Sequence, residues 1–221
     1  MASLRLLTSN LLVDRADRDA VRTLIDETKP DVVAVQELGD DKAELLADLY
    51  PYGHLAPEAD GFGLGIVAAR PVTVDKLDMP ERPGWAAALD PADWPDLPAV
   101  VDVVNLHLIN PIERPWKHTQ TDRRIQIGVA ADYLAGRSGP SVVLGDMNSS
   151  PMWPEYRMLA ELGDDAAETA GSARRTWSHF LWGPRLLRID HAFVNRATAV
   201  ATQTRRVRGT DHHALVVDIE V

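Results

Sequence analysis

The chain contains 221 residues, of which 45% are hydrophobic and 25% charged, proportions typical of a folded globular protein rather than a disordered or fibrous one. Its formal net charge of −10 disfavours tight, nonspecific binding to DNA, because such binding needs a basic surface. The sequence has no cysteine, which excludes disulfides, thiolate catalysis and sulfur-ligated metals, so any metal must be held by oxygen or imidazole ligands.

The first part of the chain alternates predicted strands with predicted helices. Apolar runs indicate the strands, and apolar residues spaced three or four apart indicate the helices, the first of which Asp17 can cap. The predicted elements are a strand at 4–12, a helix at 17–28, a strand at 32–35 and a helix that starts at Asp40 or Asp41. Strands joined by helices in this way favour a layered α/β domain.

The rest of the chain contains eight further predicted strands, which is more than a single parallel sheet would accommodate together with the first two. The predicted strands are 64–69, 72–77, 85–89, 100–107, 141–145, 188–194, 200–207 and 214–221, and the predicted helices are 119–134 and 154–162. We therefore expect an α/β (α+β) fold in which two mixed β-sheets pack face to face with helices outside. No linker or repeat divides the chain, so we expect a single domain over 1–221.

Polar side chains of metal-binding or acid–base type stand at the ends of these strands. They are Asn10, Glu37, His107, Asp146, Asn148, Asp190, Asp211 and His212. In layered α/β folds, strand ends at one edge converge on a shared crevice, so we expect these side chains to meet. Each also has a purely structural alternative: Asp146 and Asn148 can form a polar turn, and a single histidine such as His107 is often a hydrogen-bonded core residue.

Six short segments that carry these residues occur in the order Thr8-Ser9-Asn10, Val35-Gln36-Glu37, Asn105-Leu106-His107-Leu108, Gly145-Asp146-Met147-Asn148, 188–194 and Thr210-Asp211-His212-His213. Together they resemble the endonuclease/exonuclease/phosphatase superfamily, which has the deoxyribonuclease-I-like fold. The superfamily also includes apurinic endonucleases, inositol polyphosphate 5-phosphatases and neutral sphingomyelinases. The resemblance spans nearly the whole chain, and it implies a four-layer sandwich and metal-dependent hydrolysis of phosphate esters.

The resemblance also implies a metal site. Glu37 would ligate Mg²⁺, or alternatively Mn²⁺, with Asn10 beside it and Asp211 as a further ligand. This set agrees with the general chemistry of magnesium, which prefers hard oxygen ligands and keeps several of its waters.

The remaining residues would have catalytic roles. His212 would act as the general base or stabilise the phosphate, and Asp190 would orient its ring. Asp146 would position the attacking water or assist the leaving group, while Asn148 would hydrogen-bond a phosphate oxygen. His107 would stabilise developing charge. The glutamate that pairs with the mid-chain histidine in the deoxyribonuclease branch has no counterpart in 61–66, which weakens an acid role for His107.

Other residues near these positions suggest how a substrate is bound. Arg188 belongs to a late group of arginines that lie close to Asp190 in sequence, and an arginine there favours recognition of an anion. Trp153 follows Asn148 and can stack on a base, hold an apolar group or simply anchor its loop. Thr176-Trp177 matches a threonine–aromatic pair of the superfamily, which we interpret as structural.

These observations predict a Mg²⁺-dependent phosphoesterase that hydrolyses a phosphomonoester or phosphodiester in a small molecule, a lipid-linked phosphate or a limited nucleic acid substrate. The alternatives are a nuclease acting on DNA or RNA, a membrane-associated lipid (pyro)phosphatase whose anchor lies outside this sequence, and a non-catalytic binding module. The complete residue set argues against the binding module. Because no apolar run matches a membrane span or a signal peptide, we expect a cytoplasmic protein.

Overall fold

The computed structural model describes residues 2–112, 116–181 and 184–221, which form two mixed six-stranded β-sheets. The strand order of the first sheet is β11 (Thr198–Arg206), β12 (His213–Glu220), β1 (Ser3–Asn10), β2 (Val32–Gln36), β4 (Leu64–Ala68) and β3 (Tyr52–Ala56). The order of the second sheet is β5 (Thr73–Leu77), β6 (Gly84–Leu89), β7 (Val101–His107), β8 (Ser141–Asp146), β10 (Asp190–Asn195) and β9 (Asp164–Asp165). The helices within the described ranges are α1 (Arg18–Thr28), α2 (Asp40–Leu49), α3 (Trp116–Ala135), α4 (Pro154–Leu159) and α5 (Ala166–Thr169).

Each sheet packs one face against the other sheet and its opposite face against helices. Leu6 of β1 and Val103 of β7 are buried in the core between the sheets. Their neighbours Leu7 and Val104 point the other way, into separate cores formed with α1 and α2 and with α3 and α4. This alternation follows from the strand geometry, in which successive side chains point to opposite faces. The resulting order of helix, sheet, sheet and helix confirms the predicted four-layer sandwich.

Helix α1 shows how local sequence signals determine an element. The Asp17 side chain accepts a hydrogen bond from the backbone N–H of Ala20, and the helix ends at Lys29, whose φ of 47° is left-handed. Its buried face consists of Val21, Leu24, Ile25 and Thr28, as the spacing predicts. Of the helices that the structure describes, none combines the length and apolar character that crossing a bilayer requires.

Several element ends differ from the prediction by one to three residues; for example, the helix predicted over 154–162 ends at Leu159 and the strand predicted from 188 begins at Asp190. Three differences have a clear physical reason. Strand β3 was not predicted, because it is a largely exposed edge strand that contains Gly53 and is defined by its pairing with β4. Strand β9 and helix α5 are too short to produce a periodic pattern. Strand β1 ends at Asn10, two residues before the predicted end, because Leu12 and Val13 adopt left-handed backbone conformations.

The strand directions bring the polar strand ends to one edge of the sandwich. β1 runs parallel to β2, and β7 runs parallel to β8, so the carboxyl ends of each pair lie together. β12 and β10 run antiparallel to β1 and β8, which places the starts of these two strands at the same edge. In this register Asp146 pairs with both His107 and Asp190.

Candidate active site

A cavity of about 660 Å³ opens where the strand ends meet. The predicted site residues that line it are Glu37, His107, Asp146, Asn148, Trp153, Asp211 and His212. Two more, Asn10 and Asp190, are buried beneath the cavity and hydrogen-bond to residues of its wall. The structure therefore brings nearly all of the predicted residues to one site, although they are spread over 200 positions of the sequence.

Asn10 holds two carboxylates side by side. Its amide nitrogen donates to Oε1 of Glu37 at 3.0 Å and to Oδ2 of Asp146 at 2.9 Å. Its amide oxygen accepts the backbone N–H of Leu12 at 2.9 Å. Asn10 was predicted as a neighbour of the metal, and the structure places its nitrogen, rather than its oxygen, against the acidic groups. In this arrangement Asn10 orients the carboxylates that face the cavity.

The backbone around Glu37 has an unusual conformation. Glu37 itself has a φ of 54°, and the preceding β1 loop contains Leu12, Val13 and Asp14, all with positive φ. Non-glycine residues rarely adopt this region, and such conformations concentrate at functional sites. Here the loop presents the backbone N–H of Val13 to Oε2 of Glu37 at 2.9 Å. Together with Asn10, this contact fixes both oxygens of the Glu37 carboxylate.

His212 lies between two buried aspartates. Its Nδ1 is 2.9 Å from Oδ2 of Asp190, and its Nε2 is 3.7 Å from Oδ2 of Asp146. Burial alone lowers the pKa of His212, but the charges of Asp190 and Asp146 outweigh this effect and raise the pKa to about 10. These neighbours therefore favour the protonated form of the imidazole.

Asp146 is the most central carboxylate of the site. Burial raises its pKa to about 7, an effect that Asp190 reinforces and His212 opposes. The backbone N–H of Asn148 donates to its Oδ1 at 2.8 Å, and Asn148, with a φ of 44°, turns its amide toward the carbonyl of Leu108 at 3.0 Å. Asp146 and Asn148 thus form the polar turn that their sequence allowed as a purely structural role. Both residues also line the cavity.

His107 has a cationic neighbour that the sequence did not reveal. Nη1 of Arg82 lies 2.8 Å from both ring nitrogens of His107, and Arg82 also lines the cavity. Burial, together with the positive charges of Arg82 and His212, lowers the pKa of His107 well below its ordinary value. His107 is therefore neutral, which agrees with the expectation that a general-acid role is weak. In the sequence Arg82 is one arginine in a turn, with no pattern that distinguishes it from a solvated surface residue.

Arg188 was predicted to bind substrate, but in the structure it forms ion pairs with two acidic residues that do not line the cavity. Its guanidinium bonds to Oδ2 of Asp165 at 2.5 Å and to Oε1 of Glu168 at 2.6 Å, and it lies over the ring of Tyr156. The side chain is buried at 8% exposure. Arg188 lies just before β10, and its ion pairs are with β9 and α5, so these contacts argue for a structural role instead of the predicted contact with substrate.

Thr176 and Trp177 connect the β10 and β12 ends of the site. Oγ1 of Thr176 accepts the backbone N–H groups of Ile189 and Asp190, a structural contact of the kind expected. Trp177 has an additional role that the sequence did not suggest: its indole N–H donates to Oδ2 of Asp211 at 2.9 Å, and its side chain lines the cavity. Within the described residues, the buried Oδ1 of Asp211 has no hydrogen-bond partner.

Among the residues that the structure describes, two groups of side chains could hold a metal ion. In each group, one potential ligand atom per residue lies within 4.8 Å of the others: Glu37 with His107 and Asp146, and Asp146 with Asp190 and His212. The first group opens onto the cavity and contains two of the hard carboxylates that suit a divalent cation. Asp211 belongs to neither group. Its unpartnered Oδ1 lies 4.0 Å from Nε2 of His212, a member of the second group. A cation would compensate this concentration of acidic groups, so the donor set fits a metal.

Comparisons with known proteins agree with this geometry. A model of the Endonuclease/Exonuclease/phosphatase family matches residues 7–212, whereas a comparison with curated proteins found no significant match. Similar solved structures include an endonuclease/exonuclease/phosphatase from Bacteroides vulgatus, with 19% identity, a TM-score of 0.80 and full coverage of both chains. The 3′-5′ exonuclease NExo from Neisseria meningitidis has 19% identity and a TM-score of 0.74, with 99% of this chain and 100% of that chain covered.

A truncated TDP2 from Caenorhabditis elegans also matches, with 19% identity, a TM-score of 0.72 and coverage of 99% of this chain and 98% of that chain. At these identities the structural likeness supports the fold, whereas the family match covers the segments that carry the site residues. The chain belongs to the Endonuclease/Exonuclease/phosphatase family, whose members hydrolyse phosphoester bonds.

Proposed function

We propose that this protein is a Mg²⁺-dependent phosphoesterase that hydrolyses a phosphate ester by attack of water. The observation that carries the proposal is the position of His212 between Asp190 and Asp146 at the wall of an open cavity. An oriented imidazole beside a second carboxylate supplies both a proton donor and a proton acceptor. Together with the acidic metal-binding group, this arrangement suits phosphoryl transfer to water.

The residues proposed to hold the cation are Glu37 and Asp146, with Asp211 as a further ligand. Asn10 keeps the first two carboxylates in place through its amide nitrogen. When bound, Mg²⁺ would polarise the phosphate and offset its negative charge. Carboxylate oxygens suit Mg²⁺, and Mn²⁺ accepts the same ligands.

In the reaction that we propose, Asp146 accepts a proton from water while the water oxygen bonds to phosphorus. The bond from phosphorus to the leaving oxygen breaks, and that oxygen keeps the electron pair. Protonated His212, held by Asp190, donates a hydrogen bond to a non-bridging phosphate oxygen and stabilises the charge that develops there. In this proposal Asn148, which lines the cavity, hydrogen-bonds another phosphate oxygen, and neutral His107 supplies a further donor.

The preferred substrate is a small molecule with a phosphomonoester or phosphodiester. A second candidate is a limited nucleic acid substrate, which the cavity's aromatic side chains favour: Trp153 and Trp177 both line the wall, and aromatic rings can stack on bases. The solved relatives named above include a 3′-5′ exonuclease. The net charge of −10 argues for a short or terminal nucleic acid substrate rather than extended duplex binding.

A substrate panel tests the proposal. Hydrolysis of 4-nitrophenyl phosphate, bis(4-nitrophenyl) phosphate, a 3′-phosphorylated oligonucleotide and plasmid DNA would be measured with Mg²⁺, with Mn²⁺ and with chelator. We expect turnover that requires a divalent cation and is lost in His212→Ala. The absence of turnover with every substrate and metal would refute the enzyme assignment, and full activity in His212→Ala would refute the role of this residue.

A further inference from the structure

His191 is a buried histidine of β10 to which the proposed reaction gives no role. It is 1% exposed and directly follows Asp190 in the strand. Successive side chains of a strand point to opposite faces, so Asp190 bonds His212 while His191 contacts Asp165 and the backbone of Ser149. A buried imidazole needs partners at both ring nitrogens, so these contacts indicate what His191 does.

The two ring nitrogens of His191 have different partners. Nε2 lies 2.8 Å from the backbone carbonyl oxygen of Ser149. A carbonyl oxygen only accepts hydrogen bonds, so Nε2 carries a proton and donates it to this oxygen. On the opposite side of the ring, Nδ1 lies 3.1 Å from Oδ2 of Asp165 and 3.2 Å from Nη1 of Arg188. The Nδ1 contacts therefore hold the ring, and Nε2–H is directed at the segment that follows β8.

That segment contains Asn148, the residue proposed to hydrogen-bond a phosphate oxygen. Asn148 has a φ of 44°, and its backbone N–H donates to Oδ1 of Asp146 at 2.8 Å. A non-glycine residue keeps such a conformation only where its surroundings fix it. Asp146 fixes the turn before Asn148, and the bond from His191 fixes the carbonyl of Ser149 after it. Ser149 is completely buried, so its carbonyl cannot exchange His191 for water without a movement of the loop.

Resting on the phosphoesterase function proposed above, we infer that His191 is a positioning residue: its Nε2–H bond to the carbonyl of Ser149 fixes the turn that presents the amide of Asn148 to the substrate phosphate. Loss of this bond leaves a buried carbonyl without its donor, and the turn shifts to find another partner. A displacement of about 1 Å is enough to slow an enzymatic reaction on the order of 100-fold. His191 does not line the cavity, so it acts on the reaction through Asn148 and not by contact with substrate.

Glutamine and asparagine separate the two sides of the His191 ring. The amide nitrogen of glutamine can replace Nε2, whereas the shorter asparagine places its amide nitrogen where Nδ1 was. We expect His191→Asn to lower kcat for 4-nitrophenyl phosphate by about 10- to 100-fold, and His191→Gln to keep most of the activity. A purely structural role through Asp165 would give the opposite order, because asparagine keeps that contact. His118→Asn, at an exposed position of α3, is the control and should leave kcat unchanged.

A double-mutant cycle with Asn148→Gly tests whether His191 acts through Asn148. Once the amide of Asn148 is absent, its position no longer affects the reaction, so His191→Asn should cause little further loss of kcat in Asn148→Gly. Losses that multiply in the double variant would overturn the inference. Full activity of His191→Asn, or equal losses in the asparagine and glutamine variants, would also overturn it. Each of these outcomes leaves the phosphoesterase function intact, and thermal unfolding measures the stability of each variant separately.

Two measurements test the contact without turnover. Nitrogen NMR of the wild-type imidazole should show a protonated Nε2 at neutral pH, and an unprotonated Nε2 would overturn the inference. Amide hydrogen exchange over 147–150 should be faster in His191→Asn than in the wild type and His191→Gln, and unchanged exchange would likewise overturn it. If the wild-type protein hydrolyses no substrate, the proposed function fails while these measurements still test the contact. Should His191→Asn fail to fold, a large loss of kcat in folded His191→Gln would overturn the inference.

Discussion

Asp190 and His212 form a buried pair in which Oδ2 of the carboxylate lies 2.9 Å from Nδ1 of the imidazole. The pair joins the start of β10 in one sheet to the segment just before β12 in the other. Because the carboxylate occupies Nδ1, only Nε2 of the ring is directed toward Asp146 and the cavity. The two sheets thus supply different members of one acid–base unit.

Replacement of Asp190 by asparagine should lower kcat by about 10²- to 10⁴-fold. Asparagine removes the charge that stabilises protonated His212, and its amide can donate to Nδ1 and select the wrong tautomer. Steady-state kinetics with 4-nitrophenyl phosphate measures the loss, and thermal unfolding checks that the variant is folded. Asp48→Asn, on the exposed side of α2, is the control. A folded Asp190→Asn variant with wild-type kcat would contradict the orienting role.

Replacement of Glu37 by glutamine should raise the Mg²⁺ concentration needed for half-maximal activity by at least about tenfold, with partial recovery at saturating metal. The substitution removes a negative charge and one strong oxygen donor, while the left-handed backbone at this position is kept. Titration of activity with Mg²⁺, and direct Mn²⁺ binding followed by electron paramagnetic resonance, measure the effect. Glu161→Gln at an exposed position serves as the control. Unchanged metal affinity in both measurements would remove Glu37 from the metal site.

Asn148 combines a backbone requirement with a side-chain function, and two substitutions separate them. Glycine accepts the positive φ of this position, whereas alanine is strained there, so Asn148→Ala should be less stable than Asn148→Gly by about 1 kcal/mol. Both variants lack the amide, so both should lose activity on the order of 10- to 1000-fold. Chemical unfolding and steady-state kinetics measure the two effects. If Asn148→Gly were fully active, the residue would serve only the turn.

Much of this site could be predicted from the sequence because the strands themselves are easy to identify. Apolar runs define β1, β2, β7 and β8, and parallel neighbours necessarily end at the same edge of a sheet. Polar residues at those ends, such as Glu37 and Asp146, are then brought together by topology. The same reasoning does not give side-chain direction, which explains why Arg188 was expected near the substrate although it packs against Asp165.

The features that the sequence did not predict depend on tertiary contacts. Arg82 reaches the site only because the β5–β6 turn folds over His107, and a turn of this kind leaves no periodic pattern. Strand β3 exists because β4 offers it a pairing edge. The left-handed conformation at Glu37 is likewise set by its surroundings, since glutamate has no intrinsic preference for it.

The placement of Arg188 yields a prediction that distinguishes stability from binding. Arg188→Gln should lower the free energy of unfolding by about 3–5 kcal/mol, because it removes the cation that lies closest to the buried carboxylate of Asp165. The KM of the folded variant should stay at the wild-type value, since the guanidinium binds Asp165 and Glu168 and Arg188 does not line the cavity. Urea unfolding and steady-state kinetics give the two quantities, with Arg157→Gln on exposed α4 surface as the control. A large rise in KM without loss of stability would restore Arg188 to substrate binding.

The pair of Asp165 with Arg188 and His191 also predicts how stability depends on pH. Burial alone raises the pKa of Asp165, but the hydrogen bond from His191 and the charges of His191 and Arg188 outweigh burial and hold the pKa well below its ordinary value. Because the folded-state pKa is lowered, the carboxylate contributes stability above the unfolded pKa of about 4, and this contribution is lost as the pH falls through the folded value.

The advantage in unfolding free energy of the wild-type protein over Asp165→Asn should therefore shrink as the pH falls below about 4. Asparagine can still accept the N–H of Ala167 that caps α5, so the comparison isolates the charge of Asp165. Urea unfolding at a series of pH values, down to the lowest at which both proteins are folded, measures the difference. Asp164→Asn, the exposed neighbour, should show no such dependence. A wild-type advantage over Asp165→Asn that persists undiminished at low pH would mean that packing, rather than the ion pair, makes Asp165 stabilising.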